Sequence, residues 1–130
     1  GETRIGKGTK FADLISIGHG TTIGEHCLFV SLVGVSGSVE IGKYVALGGQ
    51  VGVVGHLKVG DFVQAAGRTV IVQDVPNGMK VGGTPAIPLD KAKRNALAFT
   101  ELYETTKRVR RLEKELEQLK EALGDTSLPT

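Results

Sequence analysis

The sequence predicts a parallel β-helix followed by a long C-terminal α-helix, and three observations carry that prediction. Reading every sixth residue from Ile5 gives Ile5, Phe11, Ile17, Ile23, Phe29, Val35, Ile41, Leu47, Val53, Val59, Ala65 and Ile71, an apolar series without a slip in phase. The residue after each is mostly small, as at Gly6, Gly18, Gly24, Gly42 and Gly60. Four residues after each stands another compact side chain, such as Thr9, Thr21, Cys27, Val33 or Val45. A period of six belongs neither to a helix nor to a flat strand; it marks hexads that each supply a short strand and a turn. Three hexads close one triangular coil of about 18 residues, the aliphatic residue pointing inward and the small one easing the corner. Such coils stack at the strand spacing of about 4.8 Å.

The hexads occupy residues 1–76. Pro76, Asn77 and Gly78 then give a turn signal, and residues 77–89 read as an extended cap and linker, stiffened by proline in the run 81–88 (VGGTPAIP). Asp90 stands where a helix N-cap would, and neither Gly nor Pro recurs before Gly124, so one helix is expected over 90–124. Within it Leu102, Val109, Leu112, Leu116, Leu119 and Leu123 form a coiled-coil seam. That stripe needs a partner. Self-association is the simplest supply, and a solenoid with flat triangular faces points to a homotrimer; a helix folded back on its own coils is the alternative. Residues 125–130 read as a frayed tail.

Composition narrows the function classes. A chain of 130 residues makes one domain plus an appendage, and a net charge of +2 argues against a nucleic-acid binder. There is no run of 18 apolar residues and no signal peptide, so no membrane span is expected. One cysteine among 19 glycines fits a reducing, cytoplasmic setting. Glu2 and Thr3 already sit in phase with a hexad, so coils upstream of this chain are expected.

Register decides which polar residues can cooperate. His19 and His56 are 37 positions apart, two coils plus one residue, which puts them near one corner and about 10 Å apart along the axis. Between them stands Gly37, whose N–H is free of a side chain that would block a reacting carbonyl, and Gly55 continues the column beside His56. Gly18 and Gly20 clear room around His19, and an imidazole is a competent base near neutral pH. Asp13 lies a corner away from His19; Glu2, one coil beneath it, is the better candidate for orienting the imidazole, unless an adjoining subunit supplies the partner. His26 falls on a different corner as a surface residue, and Cys27 takes an inward, structural position. No metal-ligand spacing, phosphate loop or nucleophile elbow is present.

Residues 2–14 (ETRIGKGTKFADL), Ile17-Gly18-His19, 33–41 (VGVSGSVEI), 47–57 (LGGQVGVVGHL) and 81–88 together resemble the UDP-3-O-(3-hydroxyacyl)glucosamine N-acyltransferases of lipid A biosynthesis. The likeness extends over nearly all of the chain, the C-terminal helix included. It implies a left-handed parallel β-helix and a homotrimer with active sites in clefts between prisms. It implies a (3R)-hydroxyacyl acyl carrier protein, with its phosphopantetheine arm, as donor, and a UDP-amino-sugar acceptor, with no further cofactor. It assigns His19 as the base, the Gly37 N–H as oxyanion donor and His56 as a second active-site histidine, with Asp13, Ser38 and Gly55 among the substrate contacts. Arg68, Lys91, Lys93 and Arg94 would greet the acidic carrier, although a solvated charged face explains them equally well. The family usually reads Asp-Asn where this chain has Ala12-Asp13, and Asn where it has Gly20. The family's N-terminal uridine-binding domain is not among these residues, so a truncated chain is expected. Two other readings stay open: a coenzyme A-dependent hexapeptide acetyltransferase on another amino sugar, and a non-catalytic trimeric scaffold.

Overall fold

A computed structural model describes residues 1–83 and 88–124. The chain divides into two compact units, Gly1–Pro85 and Ala86–Thr130. Among the described residues the first unit holds thirteen two-residue strands: β1 (Arg4–Ile5), β2 (Lys10–Phe11), β3 (Ser16–Ile17), β4 (Thr22–Ile23), β5 (Leu28–Phe29), β6 (Gly34–Val35), β7 (Glu40–Ile41), β8 (Ala46–Leu47), β9 (Gly52–Val53), β10 (Lys58–Val59), β11 (Gln64–Ala65), β12 (Val70–Ile71) and β13 (Lys80–Val81). The second residue of each of the first twelve is the apolar residue of its hexad.

Through β12 every third strand pairs in parallel, and β13 adds to β11, giving three sheets: β1-β4-β7-β10, β2-β5-β8-β11-β13 and β3-β6-β9-β12. Ile5 lies over Ile23, Phe11 over Phe29 and Ile17 over Val35, a lap of 18 residues on each face. Pairing of this kind satisfies the backbone between coils; the Gly18 N–H, for example, donates to the Val35 carbonyl at 2.7 Å. The interior is filled by the hexad residues Ile23, Phe29, Val35, Ile41, Leu47 and Val53 together with the compact fifth-position residues such as Val33, Val39 and Val45, all buried. Truncating Leu47 here would cost about 2–5 kcal/mol. The first coil is open: Ile5 remains 50% exposed, and Phe11 stacks on Phe29 with ring centroids 5.1 Å apart.

Inward threonines stitch the coils. Thr9 Oγ1 donates to the Gly24 carbonyl at 2.8 Å and accepts the Cys27 N–H at 3.1 Å. Thr21 repeats the bridge between the Ser36 carbonyl and the Val39 N–H, at 2.7 and 3.2 Å.

The solenoid carries one strand beyond Pro76, although the six-residue phase is lost after Ile71. Val75 bridges Val59, and Gln64 and Ala65 of β11 pair with Lys80 and Val81 of β13, so the last lap is two residues short. The Asp74 side chain supplies what the missing backbone would, its Oδ1 accepting the Lys58 N–H at 2.9 Å, while Asn77 Oδ1 accepts the Asp61 N–H at 2.7 Å. The rest of the expected cap, residues 84–87, and the tail 125–130 lie outside the described residues.

The second unit corrects the expectation of one uninterrupted helix. Helix α1 (Leu89–Thr100) and helix α2 (Leu102–Ala122) are separated at Glu101, whose φ of −106° and ψ of 3° leave the helical range. Thr100 Oγ1 donates to the Leu97 carbonyl at 2.7 Å, the kind of side-chain bond that competes with the helix ladder. Nor is Asp90 the N-cap. Pro88 takes that place, without a side-chain cap, and Asp90 sits in the first turn, where its charge suits the helix dipole and pairs with Arg94 at 3.6 Å. Gly124, at φ +60°, ends α2 in the left-handed conformation that glycine adopts freely. Neither helix has a buried residue. No helix among the described residues is long and apolar enough to cross a membrane.

Candidate active site

The turns that follow β3, β6 and β9 stack into one corner, and the lap of 18 residues brings His19, Gly37 and Gly55 into one column. Gly20, Ser38 and His56 form the adjacent column, with φ of +73°, +59° and +63°. The Ser38 N–H donates to the His19 carbonyl at 2.9 Å, and the His56 N–H to the Gly37 carbonyl at 3.2 Å. The corner therefore gathers His19, Gly37, Ser38, Gly55 and His56 from three successive coils. Both histidines are exposed, and among the described residues neither ring has a hydrogen-bond or ionic partner.

Glycine is required at Gly18, where a Cβ would overlap the Gly37 nitrogen and the Ser36 carbonyl carbon. Gly37 and Gly55 have a different consequence. The third residue of a hexad turn can have its N–H capped by the side chain one lap above. Asp13 N–H donates to Ser31 Oγ at 3.3 Å and Lys43 N–H to Asp61 Oδ1 at 3.0 Å, and Asn77 caps Asp61 in the shortened lap. Above His19 stands Gly37, and above Gly37 stands Gly55; neither has an atom with which to cap. The amides of His19 and Gly37 are consequently left without an acceptor among the described residues. Reading the sequence in steps of 18 would have found this contrast, since Ser, Asp or Asn stands above each capped amide and glycine above those of His19 and Gly37.

Beside the corner runs a shallow trough of about 470 Å³ over the β3-β6-β9-β12 sheet, bordered by Gly18, Ser36 and Val54. At Gly34 and Gly52 on its floor a Cβ would meet nothing within 4 Å, so these glycines keep the floor flat rather than relieve crowding.

The remaining expected residues fall elsewhere. Asp13 is on the corner after β2, as its register requires, with its carbonyl accepting the Leu32 N–H at 3.0 Å. Arg68 belongs to that same corner, its N–H bonded to the Gly49 carbonyl at 2.8 Å. Glu2 does not reach His19; its carboxylate takes the Arg4 guanidinium at 3.0 Å, and it is the Thr3 hydroxyl that accepts the Gly20 N–H, also at 3.0 Å. The adjacent cation simply competes better than an imidazole one coil away. Lys91, Lys93 and Arg94 are exposed on α1, in the second unit.

His26 lies on the third corner, stacked on Tyr44 at 5.1 Å, with Phe62 next in the ladder at 5.3 Å. Cys27 is buried, donates to the Gly42 carbonyl at 3.1 Å, and has its thiol pKa pushed up by burial. It is a structural thiol rather than a nucleophile. No group of three or more His, Cys, Asp or Glu among the described residues could hold a metal ion.

No family model and no curated protein sequence matches the chain. Among solved structures, it is similar to the serine acetyltransferase of Neisseria gonorrhoeae in complex with serine, with 25% identity, a TM-score of 0.61, and coverage of 67% of this chain and 39% of that one. It is similar also to soybean serine acetyltransferase, at 28% identity and a TM-score of 0.59, over 66% of this chain and 40% of that one. A serine acetyltransferase in complex with CoA matches at 23% identity and a TM-score of 0.61, over 66% and 39%, and speaks for the fold alone. The chain thus spans about two-fifths of the length of these structures. Their shared architecture, the register of 18 and the hexad core identify the solenoid as a hexapeptide-repeat left-handed parallel β-helix.

Proposed function

We propose that the His19 corner performs acyl transfer, moving a (3R)-hydroxyacyl chain from acyl carrier protein to the 2-amine of UDP-3-O-acylglucosamine in the cytoplasmic steps of lipid A synthesis. One observation carries the acyl-transfer reading: an unpartnered imidazole and an unpartnered amide, His19 and Gly37, share a corner beside a flat trough. The amine nitrogen attacks the thioester carbonyl carbon while His19 accepts its proton. Negative charge then grows on the carbonyl oxygen, where the Gly37 N–H donates; one such donor is worth about 3 kcal/mol. Collapse breaks the C–S bond, and the sulfur leaves as thiol with the proton that His19 held. Direct attack is favoured over an acyl-enzyme, because Cys27 is buried with a raised pKa.

The choice of carrier and sugar nucleotide rests on the motif residues. In that reading the chain works as a homotrimer, His56 and Ser38 line the donor's path, and Asp13 meets substrate from an adjoining copy. Arg68 on the solenoid and Lys91, Lys93 and Arg94 on α1 are offered to the acidic carrier. A second reading, a coenzyme A-dependent acetyltransferase, is favoured by the likeness to the N. gonorrhoeae and soybean serine acetyltransferases.

Thiol release separates the two. The chain is mixed with (3R)-hydroxyacyl carrier protein or acetyl-CoA, and with an amino-sugar nucleotide or serine. Release that requires both the carrier thioester and the sugar nucleotide supports the first reading. Release with acetyl-CoA alone supports the second, and none with any pair overturns both in favour of a non-catalytic scaffold.

A further inference from the structure

We infer that Thr21 is a positioning residue for the acyl transfer proposed above, because its hydroxyl grips the peptide unit that carries the Gly37 N–H. Thr21 is 0% exposed, a polar residue in a core built almost wholly of apolar ones. Its Oγ1 donates to the Ser36 carbonyl at 2.7 Å and accepts the Val39 N–H at 3.2 Å, so one hydroxyl spans both ends of the turn that holds Gly37 and Ser38. The Ser36 carbonyl and the Gly37 N–H belong to one planar trans peptide and point in opposite directions. A buried donor that holds the carbonyl therefore aims the N–H the other way, where it has no acceptor among the described residues. Hydrogen bonds in series also polarise one another, by roughly 10–30% per bond, which makes Gly37 a better donor to a developing oxyanion.

The other laps of this corner lack the device. Eighteen residues on from Thr21 stands Val39, with no hydroxyl to offer the Val54 carbonyl of the Gly55 peptide unit, and that carbonyl accepts no hydrogen bond among the described residues. Eighteen residues back stands Thr3, whose hydroxyl accepts the Gly20 N–H instead, leaving the Gly18 carbonyl a 3.4 Å bond from the Thr21 N–H. Of the three stacked amides, Gly37 alone is gripped by a side chain from within. Thr9 makes the same pair of bonds under the Glu25 amide, on another corner. Were stitching the whole of its role, Thr21 would be equivalent to Thr9.

Variants of the full chain separate the two roles. Thr21→Val and Thr9→Val remove matching pairs of bonds and should lower the melting temperature alike. In thiol release Thr21→Val should lower kcat by about tenfold, short of the roughly 10²-fold that loss of an oxyanion donor costs, with KM unchanged. Thr9→Val should keep its kcat, and Thr21→Ser should recover most of what valine loses. Thr21→Cys offers a weak donor of the kind that Cys27 gives the Gly42 carbonyl; its kcat should fall between, and it decides the matter where the valine variant does not fold. The kinetic effect rests on the acyl-transfer reading, whereas the Gly37 resonance does not. In ¹⁵N spectra the Gly37 nitrogen should move upfield in Thr21→Val and stay in Thr9→Val, where Glu25 moves instead. A Gly37 resonance that keeps its place in Thr21→Val overturns the inference. So does a kcat loss that Thr9→Val shares or that Thr21→Ser fails to recover. A wild type that releases no thiol with any pair overturns the acyl-transfer reading instead, and the Gly37 resonance then decides the grip by itself.

Discussion

Turns of the same prism, built on the same backbone, differ in the side chain that stands one lap above them. On the corner after β1, β4, β7 and β10, the Lys43 amide is closed by Asp61 and the Asp61 amide by Asn77, at 3.0 and 2.7 Å. On the corner after β3, β6 and β9, glycine stands above His19 and above Gly37, and both amides stay open. The first arrangement holds coils together. The second leaves donors beside a free imidazole, and a solenoid can afford it because its inward core does not depend on what the turns carry. What distinguishes the His19 turn is an omission as much as a placement.

The comparison can be broken most severely at the imidazole. His19→Ala should lower turnover by about 10²–10⁴-fold, the usual contribution of a general base, as measured by thiol release. Because His19 is exposed and its ring has no partner, the melting temperature should hardly move. A fully active variant would remove the base assignment. Next comes conversion of one corner into the other. Gly55→Ser puts a hydroxyl above the Gly37 amide as Ser31 stands above Asp13; its Cβ would lie 3.2 Å from the Gly37 carbonyl, tight but not overlapping. The cap should reduce kcat by about 10²-fold through loss of the oxyanion donor. Lys43→Ser, the same change above the Glu25 amide, should leave kcat within about twofold of wild type, in line with surface substitutions away from a site.

The reverse change is smaller. Asp61→Ala uncaps the Lys43 amide and should cost about 1 kcal/mol in urea unfolding with no change in activity. Smallest is the effect at Cys27. Its raised pKa means that the folded chain holds the thiol proton more tightly than the unfolded one. The stability it contributes is whole below the unfolded thiol value and is lost as pH rises through the folded one. A Cys27→Val comparison by alkaline denaturation should show this, and thiol reagents should label Cys27 only on unfolding.

Much of this was legible in the residues. The apolar series from Ile5 to Ile71 gave the strands, their inward face and the lap of 18, because a core that repeats every hexad leaves no freedom of phase. The same arithmetic brought His19, Gly37 and His56 to one corner and set Asp13 on another. What failed to show was local competition. In the short lap at Val75 the Asp74 carboxylate accepts the Lys58 N–H in place of a backbone carbonyl, which periodicity alone does not reveal. The break at Glu101, next to the Thr100 bond to the Leu97 carbonyl, is not recorded by a stripe of leucines. Glu2 went to Arg4 because two neighbours in sequence can meet without any help from the register.

Amide resonances read the difference between the corners residue by residue. Titrating the ¹⁵N-labelled chain with a non-hydrolysable acyl-pantetheine thioester analogue should shift the His19 and Gly37 amides and leave those of Lys43 and Asp61 where they were. Shifts confined to the capped corner, or none at His19 and Gly37 at saturation, would contradict an acyl-transfer site built from the uncapped turn.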